Sequence, residues 1–102
     1  MADQELYSGF VRLHILHHAA HEPLFGLGMI TELRRHGYLI SPGTLYPLLH
    51  RLEKKGYLTS AKDVVNGKSR RCYRTTPKGN RALNSAKSKV RELFDELFED
   101  EK

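Results

Sequence analysis

A lone cysteine, Cys72, excludes an internal disulfide, which suits a reducing compartment. Cys72 itself reads as a small residue within a strand. With no tryptophan in the chain, a ligand cannot be held between paired indoles. No apolar run approaches the roughly 18 residues a membrane span needs, and "MADQELYSGF" lacks the basic-then-apolar order of a secretory leader. The expectation is a cytoplasmic protein. At 102 residues the chain can bury one modest core. Nucleophile motifs, phosphate-binding glycine loops and paired carboxylates are missing, which argues against an enzyme.

Negative charge is scarcest in the middle of the chain. Between Arg34 and Arg91 stand fifteen Lys or Arg and two acids, Glu53 and Asp63. Six of the twelve acids crowd instead into "ELFDELFEDEK", residues 92–102. A surface that is merely solvated mixes both signs. A one-signed block of this density fits a phosphate backbone, and a nucleic acid is the expected partner, double-stranded DNA once the fold class is read.

What the chain does contain is periodic. "DQELYSGFVRLHILHHAAHE" sets Leu6, Phe10, Leu13, Leu16 and Ala20 at helical spacing, predicting a helix over about residues 4–20 that Pro23 ends. "LFGLGMITELRRHG" predicts a second short helix with Leu27, Ile30 and Leu33 inward and Gly37 as its C-terminal cap. After the link "YLIS", the stretch "SPGTLYPLLHRLEKKGYL" turns Leu45, Leu48, Leu49 and Leu52 to one side and Arg51, Lys54 and Lys55 to the other. Gly56 ends that third helix. "YLTSAKDVV" and "SRRCYRTT" flank "NGK", a strong tight-hairpin signal, so two strands are expected over about 57–65 and 69–76. Thr76 and Pro77 open a last helix, to about residue 99.

The fold class is therefore mainly α with a small β-hairpin. Three helices followed by a hairpin make a winged helix-turn-helix, over residues 1–76, and residues 77–102 form a C-terminal dimerisation helix. The third helix would present its N-terminal end to the major groove, with Gly43 leaving room for a close backbone approach. Two starts are open. If Thr44 is the cap, Pro47 sits where no hydrogen bond is lost; if Ser41 is the cap, Pro42 takes the favoured first position and Pro47 loosens the second turn.

"SPGTLYPLLHRLEKKGYL", the basic hairpin and "YRTTPKG" resemble the PadR-type transcriptional regulators, and "LHILHHAAHEPLFGLGMITEL" is similar to that family's first two helices. The resemblance runs from about Leu6 to Gly79. It implies a dimeric bacterial regulator, usually a repressor, released by small effectors such as phenolic compounds or drugs. It also implies that Ser41, Pro42, Gly43, Thr44 and Tyr46 face DNA, and that Arg51 and Lys55 reach phosphates or base edges. Gly67 and Lys68 would form the wing tip, with Arg70 and Arg71 gripping the backbone. One departure is Phe25-Gly26-Leu27, where the family often has Tyr-Gly-Tyr; contacts made by those hydroxyls do not carry over. The short C-terminal part resembles the small subgroup with a single dimerising helix.

Leu83, Ala86, Val90, Leu93 and Leu97 follow heptad spacing, and Phe94 and Phe98 widen the stripe. That is more apolar surface than one small domain covers, so self-association is expected, with the partner's first helix packing alongside. Two-fold symmetry implies a roughly palindromic target. Four histidines crowd the first helix: His14–His18 and His17–His21 have the i, i+4 spacing at which two imidazoles share a metal. Solvation at a helix end is the plainer account, so no cofactor is expected, with a divalent metal as an alternative effector. His36 and His50 read as surface or groove-lining. Effector space falls to Tyr7, Phe10, Phe94 and Phe98. Competing readings are a winged-helix protein-interaction module and a non-specific nucleoid or RNA-binding protein.

Overall fold

Leu33, Leu45 and Leu49 are completely shielded at the centre of the molecule, a computed structural model that describes residues 4–101. The sequence bounds 1–76 and 77–102 thus run past the described residues at both ends. Around the three leucines pack Val11, Ile15, Leu16 and Ala19 of α1 (Gln4–His21), and Met29 and Ile30 of α2 (Gly26–Arg35). Leu48 and Leu52 of α3 (Pro42–Lys54) close the cluster together with Leu58 and Tyr73 from the sheet. Every inward position expected of α3 is buried, because the three- and four-residue spacing keeps its leucines on one face.

The ends of α2 and α3 share one device. Gly37 (φ +89°) and Gly56 (φ +87°) take the left-handed conformation. The next residue then reaches back: Tyr38 N–H donates to the Leu33 carbonyl and Tyr57 N–H to the Leu52 carbonyl, each at 3.0 Å.

The sheet is larger than the sequence suggests. Leu24 and Phe25, read as the start of the second helix, form a two-residue strand β1, so α2 begins at Gly26. The hairpin strands are β2 (Leu58–Val65) and β3 (Lys68–Thr75), and the spatial order is β1-β3-β2, all antiparallel. Leu24 lies opposite Tyr73 and Phe25 opposite Cys72. A two-residue strand is too short to show a period, and what fixes it is a distant open edge of β3. The turn itself follows the sequence: Asn66 (φ +53°) and Gly67 (φ +77°) are its two central residues, the primed geometry that Asn-Gly favours.

α4 (Pro77–Leu97) is tied by hydrogen bonds at its first turn and packs Leu83 against the core. The Thr76 hydroxyl accepts the Gly79 N–H at 2.9 Å and donates to the Gly56 carbonyl, and Lys78 Nζ donates to the Lys55 carbonyl at 2.8 Å. A Cβ on Gly79 would collide with the Tyr57 carbonyl, so this crossing requires glycine. Beyond it the helix leaves the core: Leu83 and Ala86 are half-buried, while Val90, Leu93, Phe94 and Leu97 are exposed. The molecule measures 55 × 31 × 20 Å. The helix stops at Leu97, short of the expected residue 99, and a 3₁₀ turn follows over Glu99–Glu101. Three consecutive acids oppose the negative end of the helix dipole there.

Candidate nucleic-acid interface

Ser41 is the residue before α3, with extended backbone (φ −80°, ψ 159°), and its carbonyl accepts the Leu45 N–H at 2.9 Å. Of the two starts left open by the sequence, this is the one with Pro42 first. Pro47 then lies inside the helix, and the N–H that would meet the Gly43 carbonyl is missing. Nor does Ser41 cap the helix with its side chain; its hydroxyl faces the Thr44 hydroxyl at 3.4 Å. Thr76, by contrast, does cap α4. The fold thus caps the start of α4 with a side chain and leaves the start of α3 without one, its Thr44 and Leu45 N–H groups both meeting the Ser41 carbonyl.

The buried leucines fix which face of α3 looks outward. Opposite them stands a stripe of Gly43, Pro47, His50 and Lys54, all exposed. Tyr46 and Arg51 are its two shoulders. Tyr46 packs against Gly26, where an added Cβ would strike its ring, and lines a cleft of about 280 Å³ with Phe25, Arg70 and Arg71. Arg51 and Thr44 line another cleft, of about 310 Å³, beside Ser8 and Arg12 of α1. Pro47, His50 and Lys54 were absent from the residues assigned to DNA. Their angle from the leucine stripe, already present in the sequence, would have found them. Lys55 lies one residue beyond the helix, about 20 Å from Ser41 at 1.5 Å per residue.

In the wing, Gly67 and Lys68 form the tip as expected, but Arg70 and Arg71 point to opposite faces of β3 because side chains alternate. Arg71 shares the face of Tyr73 and Leu58. Its Nη1 donates to the Ser60 hydroxyl at 3.3 Å, which donates to the Glu53 carboxylate on α3 at 2.8 Å. Burial, aided by Glu53, raises the Tyr73 phenol above its ordinary pKa, so it stays neutral. Arg70 stands opposite Asp63, whereas Arg71 stands directly opposite Lys62. Like charges across a strand pair are destabilising. A phosphate between Lys62 and Arg71 would relieve that repulsion.

A second feature is an open groove of about 760 Å³ between α1 and α4, lined by Phe10, Leu13, Val90 and Phe94 with His14 and His17 at its side. Of the effector candidates, Phe10 and Phe94 line it. Tyr7 instead packs against Phe10 and Tyr38, at 6.3 Å between ring centroids in each case, and Phe98 packs on Phe94 at 4.8 Å. Of the residues expected to dimerise, Leu83, Ala86, Val90 and Phe94 face this groove, and Leu93, Leu97 and Phe98 extend an exposed surface beyond it.

The four histidines of α1 part company. His17 and His21 pair at 4.4 Å between ring centroids, with His21 Nδ1 on the His17 carbonyl at 3.0 Å. His14 and His18 turn instead toward His36, just past the end of α2. Burial first, then neighbouring histidines, holds His14 and His17 below the ordinary imidazole pKa. Burial does the same for His18 against the opposing pull of Glu32.

A helix-turn-helix with a sheet-borne basic wing defines the winged-helix class of DNA-binding architecture. Within it, the chain belongs to the PadR-like family of transcriptional regulators, whose model matches residues 15–85. It is 51% identical over 95 residues to the transcriptional regulator Rv3488 of Mycobacterium tuberculosis, covering 93% of this chain and 89% of that protein. A PadR family regulator from Eggerthella lenta shares 36% identity at a TM-score of 0.83, covering 93% of this chain and 84% of its own. A PadR-like regulator from Bacillus cereus shares 27% at 0.79, covering 92% and 96%. The protein is a transcriptional regulator, of a kind that binds DNA and is typically non-enzymatic. Among the described residues no helix is long and apolar enough to cross a membrane.

Proposed function

We propose that the protein is a homodimeric, sequence-specific repressor that holds a pseudo-palindromic operator and is released by a small effector. The observation that carries this reading is the outward, acid-free stripe of α3, with the Lys62–Arg71 pair on a wing that is tied to the same helix through Ser60 and Glu53. Phosphate contacts from Lys62, Lys68, Arg70 and Arg71 would supply affinity. Ser41, Pro42, Gly43, Thr44, Tyr46 and Arg51, joined by Pro47, His50 and Lys54, would supply specificity, and Lys55 would reach phosphate. Dimerisation draws support from the bare apolar face of α4, with Phe94 57% and Leu97 64% exposed. Repression and effector release follow the family resemblance, and the groove beside Phe10 and Phe94 offers the room.

Selection of genomic fragments by the purified protein at about physiological salt tests this. The expected result is enrichment of one pseudo-palindromic site. Uniform recovery of all fragments would make it a non-specific nucleoid protein. Failure to recover DNA at all would favour an interaction module with an acidic partner.

A further inference from the structure

The fold brings together three imidazoles from two helices. His14 and His18 lie one turn apart on α1 and are half-buried, and His36 is the exposed residue that follows α2. One ring nitrogen from each lies within 4.8 Å of the other two. The His18 and His36 Nε2 atoms are 3.3 Å apart, and the His14 and His36 rings stack at 4.4 Å between centroids.

From these distances we infer that His14, His18 and His36 form a binding site for a divalent transition-metal ion. Two nitrogens bound to zinc at about 2.0–2.1 Å and at a tetrahedral angle stand about 3.3–3.4 Å apart. The His18–His36 separation is already that edge. A His14 ring nitrogen lies within 4.8 Å of the other two, so the third corner closes when that ring moves inward on binding.

The other nitrogen of His18 supports the same assignment. Its Nδ1 lies 3.9 Å from the Glu32 carboxylate, whose second oxygen is held by Arg35 at 3.3 Å. Metal-binding histidines commonly give their second N–H to a carboxylate, which fixes the ring and raises its basicity. In the tautomer that keeps the proton on Nδ1 toward Glu32, the Nε2 lone pair of His18 faces His36. A hydrogen bond between two rings satisfies one pair only, and the third imidazole is left to solvent at the exposed His36 side. A cation accepts all three.

Three neutral nitrogens with no thiol select zinc, cobalt, nickel or copper(II) over magnesium or calcium, which prefer oxygen. The exposed side of His36 leaves an entry path and room for water as a fourth ligand. The ion would tie α1, which lines the groove with α4, to the end of α2 just before the recognition helix.

The test uses tag-free full-length protein stripped by chelator and titrated with cobalt(II), then zinc. Expected are ligand-field bands of a nitrogen-bound cobalt that saturate at one ion per chain and are displaced by zinc. His36→Ala should abolish saturation, and Glu32→Gln should weaken affinity about 10- to 100-fold. His21→Ala, outside the cluster, should bind as the parent chain does. Circular dichroism confirms that each variant is folded. Lack of saturable binding by the parent chain, or unchanged affinity in His36→Ala, overturns the assignment. The readout is metal alone, so it stands apart from the proposed operator binding.

Discussion

Two glycines with opposite reasons separate stability from recognition at the level of single residues. Gly79 is required by the chain itself, since a side chain there meets the Tyr57 backbone, which cannot swing aside. Gly79→Ala should cost about 1–3 kcal/mol, the usual range for overpacking, seen as a lower melting temperature. Gly43 has ordinary space around it, with an added Cβ 3.8 Å from the Ser41 hydroxyl. Gly43→Ala should leave stability unchanged or raise it by up to about 0.5–1 kcal/mol through helix propensity. It should still weaken operator binding at least tenfold, about 1.4 kcal/mol, if a DNA backbone passes there. Unchanged operator affinity in a folded Gly43→Ala chain would remove that close approach. Arg51→Ala completes the set: a base-reading arginine loses more affinity for operator than for random DNA, and equal losses reduce it to a phosphate contact. The cap glycines Gly37 and Gly56 were readable from the sequence because their reason is local. The reason for Gly79 is contact with a residue twenty-two positions away, and no local pattern announces it.

At the scale of elements, period decides what the sequence shows. α3 was legible because four leucines repeat one spacing, and the hairpin because Asn66-Gly67 suits its turn. β1 was not, since two residues carry no period and their partner lies nearly fifty positions away. The parting of Arg70 and Arg71 is implied by strand alternation, but which of them faces α3 depends on the register with β2. The histidines divide in the same way: the i, i+4 pairs are in the sequence, while the convergence of His14 and His18 on His36 needs α2 packed on α1. The wing makes its own prediction. If Lys62 and Arg71 share a phosphate load, the double variant Lys62→Ala/Arg71→Ala should flatten the slope of log K against log salt by about 1–2. The ratio of operator to random affinity should barely change. A loss of that ratio with the slope intact would mean that the wing reads bases.

For the molecule as a whole, the distribution of apolar surface is the main clue to its assembly. The C-terminal half of α4 stands away from the core with Val90, Leu93, Phe94, Leu97 and Phe98 exposed, and Leu6, Tyr7 and Phe10 of α1 are exposed to solvent in part as well. A second copy with its own α4 in the groove would cover both faces. Phe94→Asp/Leu97→Asp should therefore sediment as a monomer while keeping its circular dichroism spectrum, and the melting temperature of the parent chain should rise with concentration. A dimer with two-fold symmetry offers two recognition helices to one face of the duplex, with half-sites about 10 base pairs apart. Inserting about 5 base pairs between the half-sites adds about 17 Å and turns one of them through about half a helical turn, to the far side. The rigid dimer can then grip one half-site only, and affinity should fall toward that of random DNA. The Phe94→Asp/Leu97→Asp chain, already limited to one half-site, should bind parent and spaced operators alike. Equal binding of both operators by the parent dimer would mean that the two helices are not held in a fixed relation, and that α4 joins the chains without setting the spacing.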